Sequence, residues 1–435
     1  MFQTIRNAWK VADLRKKILF TFFIVLIFRV GSAIPVPFID VAALKSAIEG
    51  SSGEFMAFLT IMSGGGFSDG SIFALSITPY INASIIIQLL TVAIPALEEM
   101  AKNGEEGRKK LGQITRYTTM FLGLLLGVAY YFMVRNKYGA LCSFAKTGFN
   151  AWFCAVTIVL CFTAGSVLMM WLGEQINDRG IGNGISILLF AGIISRLPQG
   201  LASLGNAFIQ GIQSIDQGGL QSVILVPVVF LLFFGMIMFI VFMSNAERRI
   251  PVQYAKRVVG RKMYGGQATF IPIKVNMSGV MPIILAVSIV NLPNIFKTFF
   301  NWKDNWFLSA FDTRSWVYII TYFLLIIGFA FFYVTIQYNP IEMSNNLRKN
   351  SGAIPGIRPG KPTTDYIKRV ISKITLIGAL CLGIIALFPS IFGKYTQWNL
   401  GIGGTSLMIV VGVALETMQQ LESQMMMRHY KGFLE

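Results

Sequence analysis

The sequence predicts an all-α polytopic membrane protein of ten transmembrane helices. Hydrophobic residues make up 54% of the 435 residues and charged residues only 13%, against roughly 25% charged residues in soluble domains. Apolar blocks recur from end to end without a long polar module between them, and the basic residues gather in alternate loops between the blocks. These observations predict one membrane domain rather than two or three soluble ones.

Each predicted span is an apolar run close to the roughly 20 residues that a helix needs to cross a bilayer core of about 30 Å. The fifth run is short, and we expect its helix to continue past Pro198 towards Gly211. The first run follows a basic segment, as in a signal peptide, but it is too long and lacks a small-residue cleavage site, so it is predicted to be a span. The ten spans cover residues 18–36, 71–94, 116–134, 152–172, 184–197, 223–243, 277–296, 315–337, 370–388 and 403–418.

The positive charge predicts the orientation of these spans. If the N-terminus is cytoplasmic, 27 of the 37 Lys and Arg residues fall in cytoplasmic segments, as the positive-inside rule requires. Both termini are then cytoplasmic. The formal charge of +17 is therefore mostly topological, and the sequence lacks the contiguous basic face typical of nucleic-acid binders.

A half-length amphipathic stretch, residues 54–62, precedes the second span and leads into Ser63, Gly64, Gly65 and Gly66. It is too short to cross a bilayer. A half-helix on a glycine hinge is tolerated at membrane depth only where protein covers it or where it lines a cavity. Two interpretations stay open: a re-entrant or mobile element, or a helix on the extracellular surface.

Two cytoplasmic loops, residues 245–276 and 338–370, are long and basic. Loops of this length without a domain of their own are usually functional. Pro and Gly residues in the second loop predict a tight turn over residues 354–362 that presents Arg358 at its tip. The alternative is that both loops are solvated and serve only topology.

The spans carry few groups suited to catalysis or ion coupling. The only histidine is His429, near the C-terminal end, so neither an HExxH site nor a Ser–His pair can form in the membrane. The four cysteines form no CxxC pair and do not indicate a metal site. Arg29 and Glu416 are the nearest ionisable candidates, and both can reach the interface. We expect no cofactor, no metal and no enzymatic activity, and a function in passage or insertion driven from outside the chain.

Six segments in this order resemble the SecY family of protein-conducting channels, and the two basic loops favour a bacterial member. The segments are ITPYINASIIIQLL (77–90), LGEQINDRGIGNGIS (172–186), AERRIPVQYAKR (246–257), MSGVMP (277–282), IPGIRPGKP (354–362) and GGTSL (403–407).

The resemblance implies two pseudo-symmetric inverted halves, residues 1–211 and 212–435, around a central hourglass pore. It implies that the half-helix and glycine hinge, about residues 53–70, form a plug with Gly64, Gly65 and Gly66 as its hinge. The pore waist would be a hydrophobic constriction that excludes water yet yields to a passing chain. The implied ring residues are Ile81, Ile85, Leu189, Ile284 and Ile409.

The resemblance also implies a lateral gate between the second and seventh spans, with Gln88, Ser288, Asn291 and Leu292 on it and a polar contact between Gln88 and Asn291. The basic loops would dock the SecA motor ATPase or the phosphates of ribosomal RNA. The implied docking residues are Arg248, Arg249, Arg257 and Arg358.

Further implied partners are small SecE-type and SecG-type membrane subunits, signal peptides, nascent polypeptides and membrane lipids, all at the bacterial inner membrane. Two other classes were weighed against the channel. A secondary transporter would need a mid-membrane ion or substrate site, and an intramembrane hydrolase would need a catalytic constellation. The sequence offers neither.

Overall fold

The computed structural model describes residues 2–50, 54–142, 148–213, 220–254, 257–259, 262–264, 268–294, 311, 315–396 and 404–431. Its first part is a series of helices, and the long helix α7 ends in a π-helical turn, Met133–Tyr138. The helices are α1 (Phe2–Lys10), α2 (Ala12–Ala33), α3 (Val41–Gly50), α4 (Glu54–Met62), α5 (Thr78–Ala93), α6 (Pro95–Lys102), α7 (Gly104–Phe132), α8 (Gly148–Arg179), α9 (Gly184–Gln213) and α10 (Leu220–Asn245).

The second part begins with four strands and continues with helices, with one short strand among them. Two helices begin where the sequence supplies N-caps: Ser315 Oγ accepts from the amide of Val317, and Asn339 Oδ1 accepts from the amide of Ile341, as capping residues do. The elements are β1 (Glu247–Tyr254), β2 (Arg257–Val259), β3 (Lys262–Tyr264), β4 (Ala268–Lys274), α11 (Met281–Val290), α12 (Trp316–Gln337), α13 (Pro340–Lys349), β5 (Gly352–Ala353), α14 (Lys361–Thr396) and α15 (Gly404–Lys431).

The all-α membrane fold is confirmed, although ten full-length spans are not reached. Helices lie at all ten predicted positions. Among the described residues, six helices are long and apolar enough to cross a membrane, or seven if α5 and α6 are counted as one span bent by 103°. The bend falls at Pro95, which has no amide proton to continue the helix. The fifth span continues past Pro198 to Gln213, as expected.

The helices at the remaining three predicted spans are too short or too polar to be counted as membrane-crossing. Helix α2 carries charged residues near both of its ends. Helix α11 has only 10 residues before its C-cap at Asn291. Helix α15 turns polar after Leu415, with Glu416 and Glu422.

Segments predicted to share one side of the membrane meet at one end of the helices. Ala8, Leu14, Ile181 and Leu421 form one apolar cluster, which joins the N-terminal helix, the turn between α8 and α9, and the end of α15. At the other end, isolated bridges pair Pro35 with Ser71 and Ile39 with Leu141. Segments that the Lys and Arg distribution assigns to the same side of the membrane therefore also pack together at the same end of the helices.

The two basic loops form one small folded unit rather than separate solvated loops. Strand β1 lies at the centre of a three-stranded sheet with the order β4-β1-β5, and β5 comes from the second loop, pairing Ala353 with Gln253. Beneath the sheet lies an apolar cluster that includes Ile250, Val252, Ile354 and Ile367. Side chains of a strand point alternately to its two faces, so Ile250 and Val252 of β1 are both buried on one face. These two residues contribute to the apolar core beneath the loops.

Candidate functional site

Four helices bring the five predicted ring residues into one apolar cluster. Ile81 of α5, Leu189 of α9 and Ile409 of α15 are buried, with exposures of 7%, 1% and 3%. Ile85 and Ile284 are half-buried and pack against the same cluster. Ile81 and Ile85 share one face of α5 because they are four residues apart. The structure thus places all five side chains in or against one apolar cluster, and their role as a pore ring stays a prediction.

A cavity of about 370 Å³ with a mixed polar and apolar lining lies next to this cluster. Leu189, Ile284 and Ile409 line part of the cavity wall, and Lys274 Nζ donates to Gln419 Oε1 across 2.6 Å on another part. The remaining polar lining includes Asn183, Ser186, Ser244, Asn276, Gln337 and Glu416. The cavity therefore borders the apolar cluster through side chains that offer no hydrogen bonds.

Three residues of α9 lie at successive heights along the site. Ser186 faces the cavity, Leu189 belongs to the apolar cluster, and Gly192 lies against the end of the half-helix α4. Residues three apart lie on nearly the same helix face, and each step advances about 4.5 Å. Along α9, the part of the apolar cluster at Leu189 therefore lies between the cavity and the end of the half-helix.

The half-helix α4 leads into a buried chain segment, residues 62–77, rather than onto a surface. Met62 and Ile77 belong to the same apolar cluster as the ring residues. Tyr130 Oη donates to the carbonyl of Phe67 at 2.6 Å, and Ser76 Oγ donates to that of Met62 at 3.3 Å. Buried carbonyls need such partners. This burial agrees with an element covered by protein and disfavours the surface-helix interpretation.

The predicted hinge glycines serve different needs. Gly64 and Gly65 have φ angles of +64° and +98°, a region that residues with a Cβ rarely adopt. Gly66 is not in that region, but a Cβ there would lie 2.4 Å from Ser71 Oγ. The first two glycines are thus required by backbone conformation and the third by close packing.

The predicted gate residues do not form a polar cluster. Gln88 is exposed and Leu292 is 45% exposed, whereas Asn291 is buried. Ser288 Oγ donates to the carbonyl of Ile284 in its own helix. Two of the four side chains are therefore exposed, one is buried and one bonds to its own helix.

The predicted contact between Gln88 and Asn291 is wrong. Asn291 Oδ1 accepts from Tyr318 Oη at 3.5 Å, and no hydrogen bond joins Asn291 to Gln88 among the residues that the structure describes. Asn291 faces α12 because α11 packs closely against that helix. A buried amide takes the nearest donor.

Three of the four predicted docking arginines have described side chains, and all three are exposed on the folded basic unit. Arg249 pairs with Glu247 at 2.7 Å and lies 4.6 Å above the Phe270 ring. Arg248 is exposed beside it on β1. Arg257 pairs with Tyr264 across β2 and β3, and its side chain lies outside the described atoms.

Arg358 is exposed in the predicted turn. The amide of Ile357 donates to the carbonyl of Ile354 at 3.1 Å, and Gly356 has a φ angle of +81°. Thr363 Oγ1 donates to the carbonyl of Arg358 itself at 2.9 Å. The backbone of the turn is thus fixed by hydrogen bonds while the Arg358 side chain is exposed.

Sequence reasoning missed Arg196 on α9, which bonds to Ser68 beside the hinge. It also missed the pairing of β5 with β1. A signal for the sheet was present in the alternation Ile250-Pro251-Val252, but only the fold shows that the partner strand lies about a hundred residues away.

Comparison with known proteins identifies the fold and the family. The SecY family model matches residues 71–418. Protein translocase subunit SecY of Streptomyces coelicolor is 43% identical over 449 residues, covering 100% of both chains.

Two solved structures share the fold at 18% identity, which by itself shows only the fold. One is titled "The plug domain of the SecY protein stablizes the closed state of the translocation channel and maintains a membrane seal", with a TM-score of 0.67 over 94% of this chain and 92% of the other. The other is Sec61 in a canine ribosome–channel complex, with a TM-score of 0.64 over the same shares. With a family model that spans most of its length and a relative 43% identical from end to end, this multi-pass membrane protein belongs to the SecY family.

Proposed function

We propose that the chain is the central channel subunit of a protein translocase, which passes unfolded preproteins across the bacterial inner membrane and releases membrane segments sideways. One observation carries the proposal: aliphatic side chains from four helices meet between a partly polar cavity and the buried segment, residues 62–77, that follows the half-helix. A hydrophobic constriction blocks a continuous water column when idle. It also yields to a passing chain, because it offers no hydrogen bonds to hold it.

In this function, the segment of about residues 53–70 is the plug. Its support is the burial of residues 62–77 against α9 and α7, on the side of the ring away from the cavity. The plug adds a second seal to the ring. The inverted halves, residues 1–211 and 212–435, are proposed as the two bodies that part around the pore.

The lateral gate is proposed to lie between α5 and α11. Ile85 and Ile284 belong to the same apolar cluster, so the seam between the two helices is apolar where it meets the ring. Gln88 on α5 and Leu292, just past the end of α11, are exposed and are proposed to face lipid or a departing signal peptide. Ser288 lies between them on α11, half-buried.

Docking of SecA or the ribosome is proposed for the folded basic unit, with Arg248, Arg249, Arg257 and Arg358 as contacts. Guanidinium groups bind both phosphates and carboxylates through fixed pairs of donors. Support comes from the sheet that joins the two basic loops into one surface, and from the Sec61 relative of the same fold, which is described in a ribosome complex. Small SecE-type and SecG-type subunits complete the proposed assembly.

Both termini are proposed to be cytoplasmic, beside the docking surface. The cluster of Ala8, Ile181 and Leu421 supports this placement, since it joins both ends of the chain to the turn between α8 and α9. The chain is proposed to work without cofactor or catalysis, since the motor or the ribosome supplies the work.

The test is to replace Ile81 or Ile409 with Asn and to measure small-ion leak in proteoliposomes, together with export of a preprotein that has a defective signal sequence. We expect leak and export both to rise, because an amide in the ring holds water. Ile86→Asn is the matched control, since Ile86 lies on the same helix as Ile81 but is 39% exposed. If the ring variants behave like Ile86→Asn, the proposed constriction is wrong.

A further inference from the structure

Arg29 is a cation inside the first predicted span, and the channel function leaves it without a task. Its Nη1 donates to the carbonyl oxygen of Gly64 at 2.8 Å. No carboxylate pairs with Arg29 among the described residues. A guanidinium in a span is costly unless polar groups or water satisfy it; here one of its donors bonds to the backbone of the glycine hinge, and the residue is otherwise exposed.

Arg196 approaches the same hinge from α9. Its Nη2 donates to Ser68 Oγ at 3.1 Å, and Ser68 Oγ in turn donates to the carbonyl of Gly65 at 2.9 Å. A Cβ on Gly65 would lie 2.2 Å from Arg196 Nη2, so the guanidinium lies directly against the hinge backbone. Neighbouring Ser195 places its Oγ 3.5 Å from the Gly64 carbonyl.

We propose that Arg29 and Arg196 are positioning residues that form a latch, one from each side, which holds the half-helix α4 in its seated position. The proposal rests on the proposed function of residues 53–70 as a plug. Hydrogen bonds from a charged donor are roughly twice as strong as neutral ones. Unseating the hinge breaks both of them and leaves the Gly64 carbonyl without its donor.

The placement of the latch has a mechanical consequence. Arg29 lies on α2 and Arg196 on α9, and both helices belong to the proposed N-terminal half, residues 1–211. Parting of the two halves therefore leaves the latch intact. Release of the plug requires the hinge itself to move, so opening of the lateral gate and displacement of the plug are separable events.

The test uses the assembled translocase in proteoliposomes with Arg29→Gln, Arg196→Gln and the double variant. Two quantities are measured without preprotein: small-ion leak, and deuterium uptake by the amides of residues 62–77. Losing one charge-assisted hydrogen bond shifts the seated-to-unseated ratio roughly tenfold or more. We expect each single variant to raise leak and hinge exchange together, the double variant to exceed both, and Arg29→Lys to recover most of the seal.

Arg135→Gln is the matched control, because Arg135 bonds to Tyr131 within its own segment; it should leak like the parent protein. The latch is refuted if the glutamine variants leak like Arg135→Gln with unchanged hinge exchange. It is equally refuted if exchange rises throughout the protein and lysine rescues nothing, because the arginines would then be merely structural.

Deletion of residues 54–70 separates the two proposals. If the deletion leaks while the arginine variants do not, the plug stands and the latch fails. If the deletion does not leak, the plug function itself is wrong.

Discussion

Gly192 of α9 is the position where one added methyl group should unseat the half-helix. A Cβ there would lie 2.6 Å from the carbonyl oxygen of Met62 and 3.5 Å from the amide nitrogen of Gly64. An ordinary close carbon–oxygen contact is about 3.3–3.6 Å. Gly192→Ala therefore requires the Met62 carbonyl to move by at least about 0.7 Å, and this atom is backbone, which cannot rotate away as a side chain does.

The size of the effect follows from two opposing terms. Overpacking costs typically 1–3 kcal/mol, whereas Ala in place of Gly favours a helix interior by about 1 kcal/mol. Gly205→Ala, on the same helix with nothing within 4 Å of the new Cβ, receives only the favourable term. The helix term is common to both variants and cancels, so we expect them to differ in free energy of unfolding by the overpacking cost of about 1–3 kcal/mol.

The assay is thermal unfolding of both variants in one detergent–lipid mixture, followed by ion leak in proteoliposomes. Gly192→Ala should melt below the parent protein and leak more, because the carbonyl that must move is adjacent to the hinge. Gly205→Ala should melt at or above the parent and stay sealed. Equal melting temperatures and equal leak for the two variants would refute the close approach of α9 to the hinge.

Three further changes test other parts of the structure. Tyr130→Phe removes the donor to the Phe67 carbonyl and should lower the free energy of unfolding by about 1–3 kcal/mol; the exposed Tyr117→Phe on the same helix is the control, and an equal effect of both would contradict the bond. Arg358→Glu should slow SecA-driven export without lowering the melting temperature, since the side chain is exposed; normal export kinetics would remove the docking role. Phe270→Ala removes the ring beneath Arg249, an interaction worth about 0.5–1 kcal/mol at exposed sites, and should speed amide exchange in β1 and β4; unchanged exchange would show that the contact contributes nothing.

Hydropathy and charge alone located helices at all ten predicted positions, because both are local properties of the chain. The same local reasoning found the half-helix and the turn that carries Arg358. Local reasoning did not predict where each helix ends or bends. Helix α11 ends at Asn291 after 10 residues, and the break at Pro95 turns the chain by 103°.

The ring residues were assigned by resemblance, and the packing then placed all five in one cluster. The contact between Gln88 and Asn291, which was also implied by the resemblance, is not present in the described part of the structure. A single residue step rotates a side chain by about 100° around a helix, so the identity of a residue does not say which neighbour it faces. Asn291 faces Tyr318 because α11 packs on α12.

The sequence by itself determined the class of this protein, the alternation of its segments and the presence of a glycine hinge, since periodicity, charge and residue conformation are all written locally. Only the tertiary structure decided what that hinge touches. Arg29 and Arg196 are 167 positions apart in the sequence and lie on different helices, yet both bond to the same short segment, Arg29 to the carbonyl of Gly64 and Arg196 to the side chain of Ser68. Contacts of this kind depend on how helices pack across the fold, and no local pattern encodes them.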